Sequence, residues 1–198
     1  MTITVMNHVT LDGVMQGPGR KDEDPRGGFA HGGWAQEGND EVMGQFMGER
    51  MAQGGSLLFG RRTYEDVLSY WNSQPDNPFA SMLNSQQKYV ASTTLQEPLR
   101  WPNSTLLQGD AADAVATLKA DQPDGQLTIM GSRSLIHALM TRHLVDEWLL
   151  MIHPVVLGSG LRLFDDGVQA TRMELVDAIT TTTGVIIATY RSASDNRS

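Results

Sequence analysis

The chain has 198 residues, 40% hydrophobic and 19% charged, with a formal net charge of −8 and no cysteine. That balance fits a folded soluble domain, and the negative charge argues against broad binding to nucleic acid or anionic membranes. With that charge, any bound phosphate must be gripped locally by a few placed arginines and backbone amides; the missing cysteines exclude disulfides, thiolate metal sites and a cysteine nucleophile.

The start of the chain, MTITVMNHVTLDG, lacks the basic and unbroken apolar regions of a signal peptide. Nor does any stretch reach the roughly 20 apolar residues of a membrane span. A cytoplasmic protein is expected. Residues 2–9 read as a strand ended by the turn Leu11-Asp12-Gly13. From 13 to 38 the chain is loop-like with eight glycines, among them Gly17 and Gly33, and a tryptophan, Trp34. A loop longer than about 15 residues is usually functional. Residues 39–53 predict a helix with Asn39 as N-cap and Asp40 and Glu41 in its first turn. Met43, Met47 and Met51 recur at helical spacing and read as core.

The stretch 56-SLLFGRRTYEDVLSYW-71 is an apolar strand, a glycine turn and a helix. Segments 78–85 and 110–120 read as helices, the second capped by Asp110, and 88–93 and 104–107 as strands. The run 126-QLTIMGSRSLIHALM-140 repeats the strand–glycine–helix pattern. A strand at 145–153 leads to a Gly-rich bend, and 172–182 with 184–191 form an antiparallel hairpin. Residues 192–198 are expected to be a disordered tail after a single domain over 1–191. Strands alternating with helices predict an α/β fold with a mixed, mostly parallel sheet.

Two turns carry the chemistry. Gly60-Arg61-Arg62-Thr63 and Gly131-Ser132-Arg133-Ser134 each offer close backbone approach, a cation and a hydroxyl at a helix start. Ser92 and Thr93 place hydroxyls at the end of another strand. Ligands of open α/β sheets bind outside such strand ends. Each turn read alone is equally a helix cap, with Thr63 a good capping residue. The G-x-G-x-x-G and G-K-[ST] phosphate motifs and the G-x-S-x-G elbow are absent. Five scattered histidines without H-x-H or H-E-x-x-H spacing predict no metal site.

The pieces VTLDG, LLFGRRTYE, TIMGSRSL and LVDEWLLMIHPVVLGSGLRLF run in order along nearly the whole chain. On them the chain resembles the dihydrofolate reductase-like superfamily, and more closely the RibD C-terminal reductase domain of riboflavin biosynthesis. The resemblance implies a three-layer fold, helices on both faces of the sheet, and NADPH as cofactor. It assigns the cofactor phosphates and adenosine end to Gly60, Arg61, Arg62, Thr63, Ser92, Thr93, Gly131, Ser132, Arg133, Ser134 and Leu135, and the nicotinamide side to Asn7 and His8. It makes Gly17 to Gly33 a mobile lid and implies a homodimer through the C-terminal strands; Trp34 reads equally as a cover for the substrate ring or as a plug of the core. The zinc deaminase half that often accompanies the riboflavin reductase has no counterpart here. Dihydrofolate reductases carry an acid on the first helix, for which Asp40 and Glu41 are the candidates; His8 and Asp12 are further candidates for handling a proton. The implied reaction is hydride transfer to a small pterin-like or ribosylaminopyrimidine-like substrate. The alternative is a non-catalytic nucleotide-binding or dimerising module, or a plain α/β domain with two capped helices.

Overall fold

A computed structural model describes residues 1–74 and 76–192; of the stretch 192–198 read as a disordered tail, Ser192 instead ends a strand and the rest lies outside the described residues. The strands are β1 (Thr2–Thr10), β2 (Ser56–Gly60), β3 (Lys88–Ala91), β4 (Ser104–Leu107), β5 (Gln126–Met130), β6 (Glu147–His153), β7 (Met173–Thr180) and β8 (Ile186–Ser192). The helices are α1 (Glu41–Ala52), α2 (Arg61–Asn72), α3 (Pro78–Ser85), α4 (Ala111–Asp121) and α5 (Arg133–Thr141). The strands form a mixed sheet in the order β4-β3-β2-β5-β1-β6-β8-β7. The chain divides into two compact units: residues 1–5 with 50–146, and residues 6–49 with the chain from Glu147 onward.

In the first unit β2 lies between β3 and β5, parallel to both. Leu57, Leu58 and Phe59 are buried, as an apolar run without alternation requires when both faces are covered. The helix that follows sends Tyr64 and Leu68 onto the same core, joined by Leu83 and Val90. Spacing of four puts these two side chains on one helix face. Each buried apolar side chain contributes about 1.5–3 kcal/mol, so Tyr64→Ala would cost the unit several such contacts. Tyr64 keeps its hydroxyl satisfied, donating to Ser104 Oγ at 3.0 Å, and meets Trp101 edge-on at 5.0 Å. Asp110 caps α4 by accepting from Ala112 N and Asp113 N.

Lys88 is an exception to the rule that lysines stay in water. It is wholly buried on β3, and its Nζ donates to the carbonyls of Leu83 and Gln86 at 2.6 Å. These carbonyls close the last turn of α3, where a cation complements the helix dipole. Burial pushes its pKa down to about 8, which leaves it charged at neutral pH.

In the second unit β6, β8 and β7 are antiparallel, with Leu150 opposite Ala188 and Ala178 opposite the same residue on the other side. Residues Trp148–Met151 are buried, whereas β7 is exposed along most of its length. A bulge between Leu175 and Asp177 interrupts the β7–β8 ladder, and Leu175 and Val176 stand 58% and 49% exposed. The N-cap of α1 is Asp40 rather than Asn39: Asp40 Oδ1 accepts from Met43 N at 2.8 Å. Both residue types cap well; the winning one also has a partner in the turn after β7, since Asp40 Oδ2 accepts from Thr182 N and Thr182 Oγ1. No described helix is long and apolar enough to cross a membrane.

Candidate functional site

The two glycine turns of the first unit are one construction. Strands β2 and β5 pair in parallel with Leu58 opposite Ile129, so their carboxyl ends stop side by side at Gly60 and near Gly131. Ser132 joins them: its Oγ accepts from Gly60 N at 2.8 Å and donates to Thr63 Oγ1 at 2.9 Å. Ser132 holds this position in the left-handed region, at φ 60° and ψ 53°, a conformation that costs a non-glycine residue about 1–2 kcal/mol. Gly131 is confined more tightly, since a Cβ there would lie 2.9 Å from Thr63 Cγ2.

Thr63 therefore does not cap α2. It is the third residue of that helix, whose N-cap is Gly60, and its hydroxyl is engaged with Ser132. Neither N-cap residue, Gly60 of α2 or Ser132 of α5, caps its helix with a side-chain hydrogen bond. The leading N–H groups of a helix have no partner within the helix, and they carry the positive end of the dipole. Two such starts, tied together at adjacent strand ends, make a receptacle for an anion.

The cations beside it differ. Arg61 is tied to Glu65 at 3.0 Å, one turn along α2. Arg62 is exposed and has no ion-pair partner among the described residues. Ser92 Oγ accepts from the backbone of Thr94 and Leu95, closing the turn after β3, while Thr93 is exposed. Ser134 and Leu135 lie in the first turn of α5, directly after Arg133.

In the second unit His8, on β1, meets His153, at the end of β6, with His8 Nδ1 and His153 Nε2 2.8 Å apart. His153 is 2% exposed, whereas His8 keeps part of its surface open. Burial, then the neighbouring imidazole, pushes His8 down to about 3, and burial also lowers His153. His8 is therefore neutral across the physiological range. Asn7, the neighbour of His8, is buried on the same strand. Trp34 stands edge-on to His153 at 5.2 Å, its Nε1 donating to Gln16 O at 2.7 Å.

The glycine loop is internally tied. Gly33 N donates to Gly17 O at 2.8 Å and Ala35 N to Pro18 O at 3.0 Å. Gln16 is its hub: Nε2 donates to Asp24 O and Arg26 O, and Oε1 accepts from Leu161 N. Gly17 and Gly33 both have positive φ, which the paired bends require. A lid motion of this loop would have to break these bonds.

The two acids are committed elsewhere. Asp40 has both oxygens occupied as the α1 cap and the anchor of Thr182. Asp12 accepts from Thr10 Oγ1 at 2.6 Å, from Gly158 N at 2.8 Å and from Leu157 N at 3.2 Å. These bonds, the one from Thr10 foremost, hold its carboxyl down at about 2. Asp12 thus fixes the Gly-rich bend after β6 to the end of β1. Sequence reasoning missed Ser132's bridge, His153 as partner of His8, and the buried Lys88. Only the paired glycine turns hinted at the first, and nothing local signals the other two.

Comparison with known proteins places these features in a family. The model of the RibD C-terminal domain matches residues 1–187. The uncharacterised YyaP of Bacillus subtilis (strain 168) is 32% identical over 139 residues, 68% of this chain and 72% of its own length. Among solved structures, a Shewanella sp. PV-4 protein named for riboflavin biosynthesis superposes with a TM-score of 0.68 at 22% identity, covering 97% of this chain and 99% of that one. Dihydrofolate reductase from Enterococcus faecalis, crystallised with NADP(H), gives a TM-score of 0.58 at 13% identity over 97% of this chain and 96% of its own. The fold is the dihydrofolate reductase-like one.

Proposed function

Since the chain belongs to the RibD C-terminal domain family, we propose that it is an NADPH-dependent reductase acting on a small heterocyclic or carbonyl substrate, pterin-like or ribosylaminopyrimidine-like. The observation that carries this reading is the pair of helix starts bridged by Ser132 Oγ, neither capped by a side chain. Their fit to a dinucleotide is chemical: amides for a pyrophosphate, with a free Arg62 beside them for a phosphate. Gly60 and Gly131 let the two turns close on each other, since a Cβ on either would meet Ser132 Oγ at 3.3 Å or Thr63 Cγ2 at 2.9 Å. Arg61, Arg133, Ser134 and Leu135 line the same turns, and Ser92 and Thr93 serve the adenosine side. NADPH, when bound, supplies the hydride; the chain's share is to bind and orient. Asn7 and His8 are proposed for the nicotinamide side on the family resemblance alone. Gly17, Gly33 and Trp34 are proposed to border the substrate. A cytoplasmic setting and a homodimer using the exposed apolar residues of β7 belong to the same proposal.

The full engagement of Asp40 favours a second reading, in which the chain binds the nucleotide without reducing a substrate. Fluorescence titration with NADPH, followed by a screen of NADPH oxidation, separates the two. Saturable binding with oxidation on at least one of dihydrofolate, ribosylaminopyrimidine phosphates or 1,4-naphthoquinone is expected. Binding without oxidation would favour the nucleotide-binding module, and absence of binding would refute both.

A further inference from the structure

The sequence gives no reason to connect His8 with His153, 145 residues away. The structure encloses the second on several sides. Trp34 stands edge-on to the His153 ring at 89°. A Cβ on Gly38 would fall 2.5 Å from both Nδ1 and Cε1 of His153, so only glycine lets the backbone pass there. The Gly38 carbonyl is already taken, accepting from Thr183 Oγ1 at 2.9 Å. Among the described residues His153 Nδ1 makes no hydrogen bond, and neither imidazole has an ion-pair partner.

These contacts decide where the protons are. A buried N–H without an acceptor costs more than a buried bare lone pair. The proton of neutral His153 is therefore on Nε2, the atom 2.8 Å from His8 Nδ1. His8 Nδ1 accepts it, which puts the single proton of His8 on Nε2. His8 is the member of the pair with surface still open.

We infer that His153 is a positioning residue that holds His8 as a neutral imidazole with a free Nε2–H, a hydrogen-bond donor for a carbonyl or imine acceptor of the substrate. The acceptor rests on the reductase reading above; the tautomer does not. A neutral donor of this kind polarises an acceptor without itself being ionised, so it keeps one state across the physiological range. Trp34 then serves the site indirectly, by packing against the ring that sets the tautomer.

Long-range proton–nitrogen spectra of the labelled protein between pH 5 and 8 test the assignment. His8 is expected to stay neutral with its proton on Nε2. An imidazolium, or a proton on Nδ1 of His8, would overturn it. In His153→Leu the proton of His8 is expected to spread over Nδ1 and Nε2, and in His153→Gln, whose amide can still donate to Nδ1, to stay on Nε2. A His8 that keeps its proton wholly on Nε2 in the leucine variant would remove His153 from the role. On whichever compound the wild type oxidises NADPH with, His153→Leu should lower kcat roughly tenfold and His153→Gln restore most of it, the NADPH Kd staying within about twofold in both. Failure of the wild type to bind NADPH would sink the reductase reading and leave the spectra to decide the pair.

Discussion

Replacing Ser132 by alanine and by glycine separates two effects that the wild-type turn combines. Ser132 Oγ accepts the Gly60 amide proton at 2.8 Å and donates to Thr63 Oγ1 at 2.9 Å. Alanine keeps the Cβ, and with it the cost of φ 60°, while removing both bonds. It leaves a part-buried N–H without its partner, so the loss should be about 1–3 kcal/mol. Glycine loses the same bonds and gains about 1–2 kcal/mol from relief of the left-handed conformation. Against that stands about 0.4–1 kcal/mol for its greater freedom in the unfolded chain. Glycine should therefore be more stable than alanine by up to about 1.6 kcal/mol, and no more than about 3 kcal/mol below wild type. Urea denaturation of the three proteins, with NADPH titration alongside, measures it. An alanine variant as stable as wild type would refute the bridge, and an alanine variant more stable than glycine would refute the strain.

Arg62→Ala should weaken NADPH binding about tenfold, and Arg61→Ala less, because Arg61 is already tied to Glu65; equal losses in fluorescence titration would contradict the distinction. Lys88→Met should destabilise the protein by about 1–3 kcal/mol in urea melts, since two buried carbonyls lose their donor; an unchanged midpoint would show that the ammonium adds nothing. Asp12 has its folded pKa, about 2, below its ordinary 3.8, so its contribution is complete above the higher value and is lost as pH falls toward the lower. The stability gap between wild type and Asp12→Asn should thus narrow in thermal melts between pH 5 and 2, and parallel curves would refute the assignment. Leu175, 58% exposed on β7, is the test of the dimer: light scattering should find a dimer for wild type and a monomer for Leu175→Glu, and a monomeric wild type would end that proposal.

Much of the fold is legible in short windows of the chain. The run Leu57-Leu58-Phe59 lacks alternation because it is covered on both faces, and Tyr64 and Leu68 mark the buried side of α2 by their spacing. Asp110 sits where a capping residue belongs and caps. At α1 the window put the cap one residue early, at Asn39; Asp40 caps, and a contact with Thr182 accompanies it. At α2 it misled, because Thr63 has a capping side chain but lies inside the helix, bonded to Ser132.

By itself the sequence determined the alternation of strands and helices, the two glycine turns at strand ends, and membership of a reductase-like family. These depend on neighbours within a few residues, where side-chain period, capping chemistry and backbone freedom act directly. Only the tertiary structure decided that the two turns share one serine, that His8 is governed by His153, and that Lys88 is buried under the end of α3. Each of the first two joins residues 69 or more positions apart, brought together by strand register and by the ends of strands far apart in sequence. The burial of Lys88 depends on what the rest of its unit stacks above it. No local pattern of residues encodes such meetings, because they follow from how whole strands pair and not from what lies next along the chain.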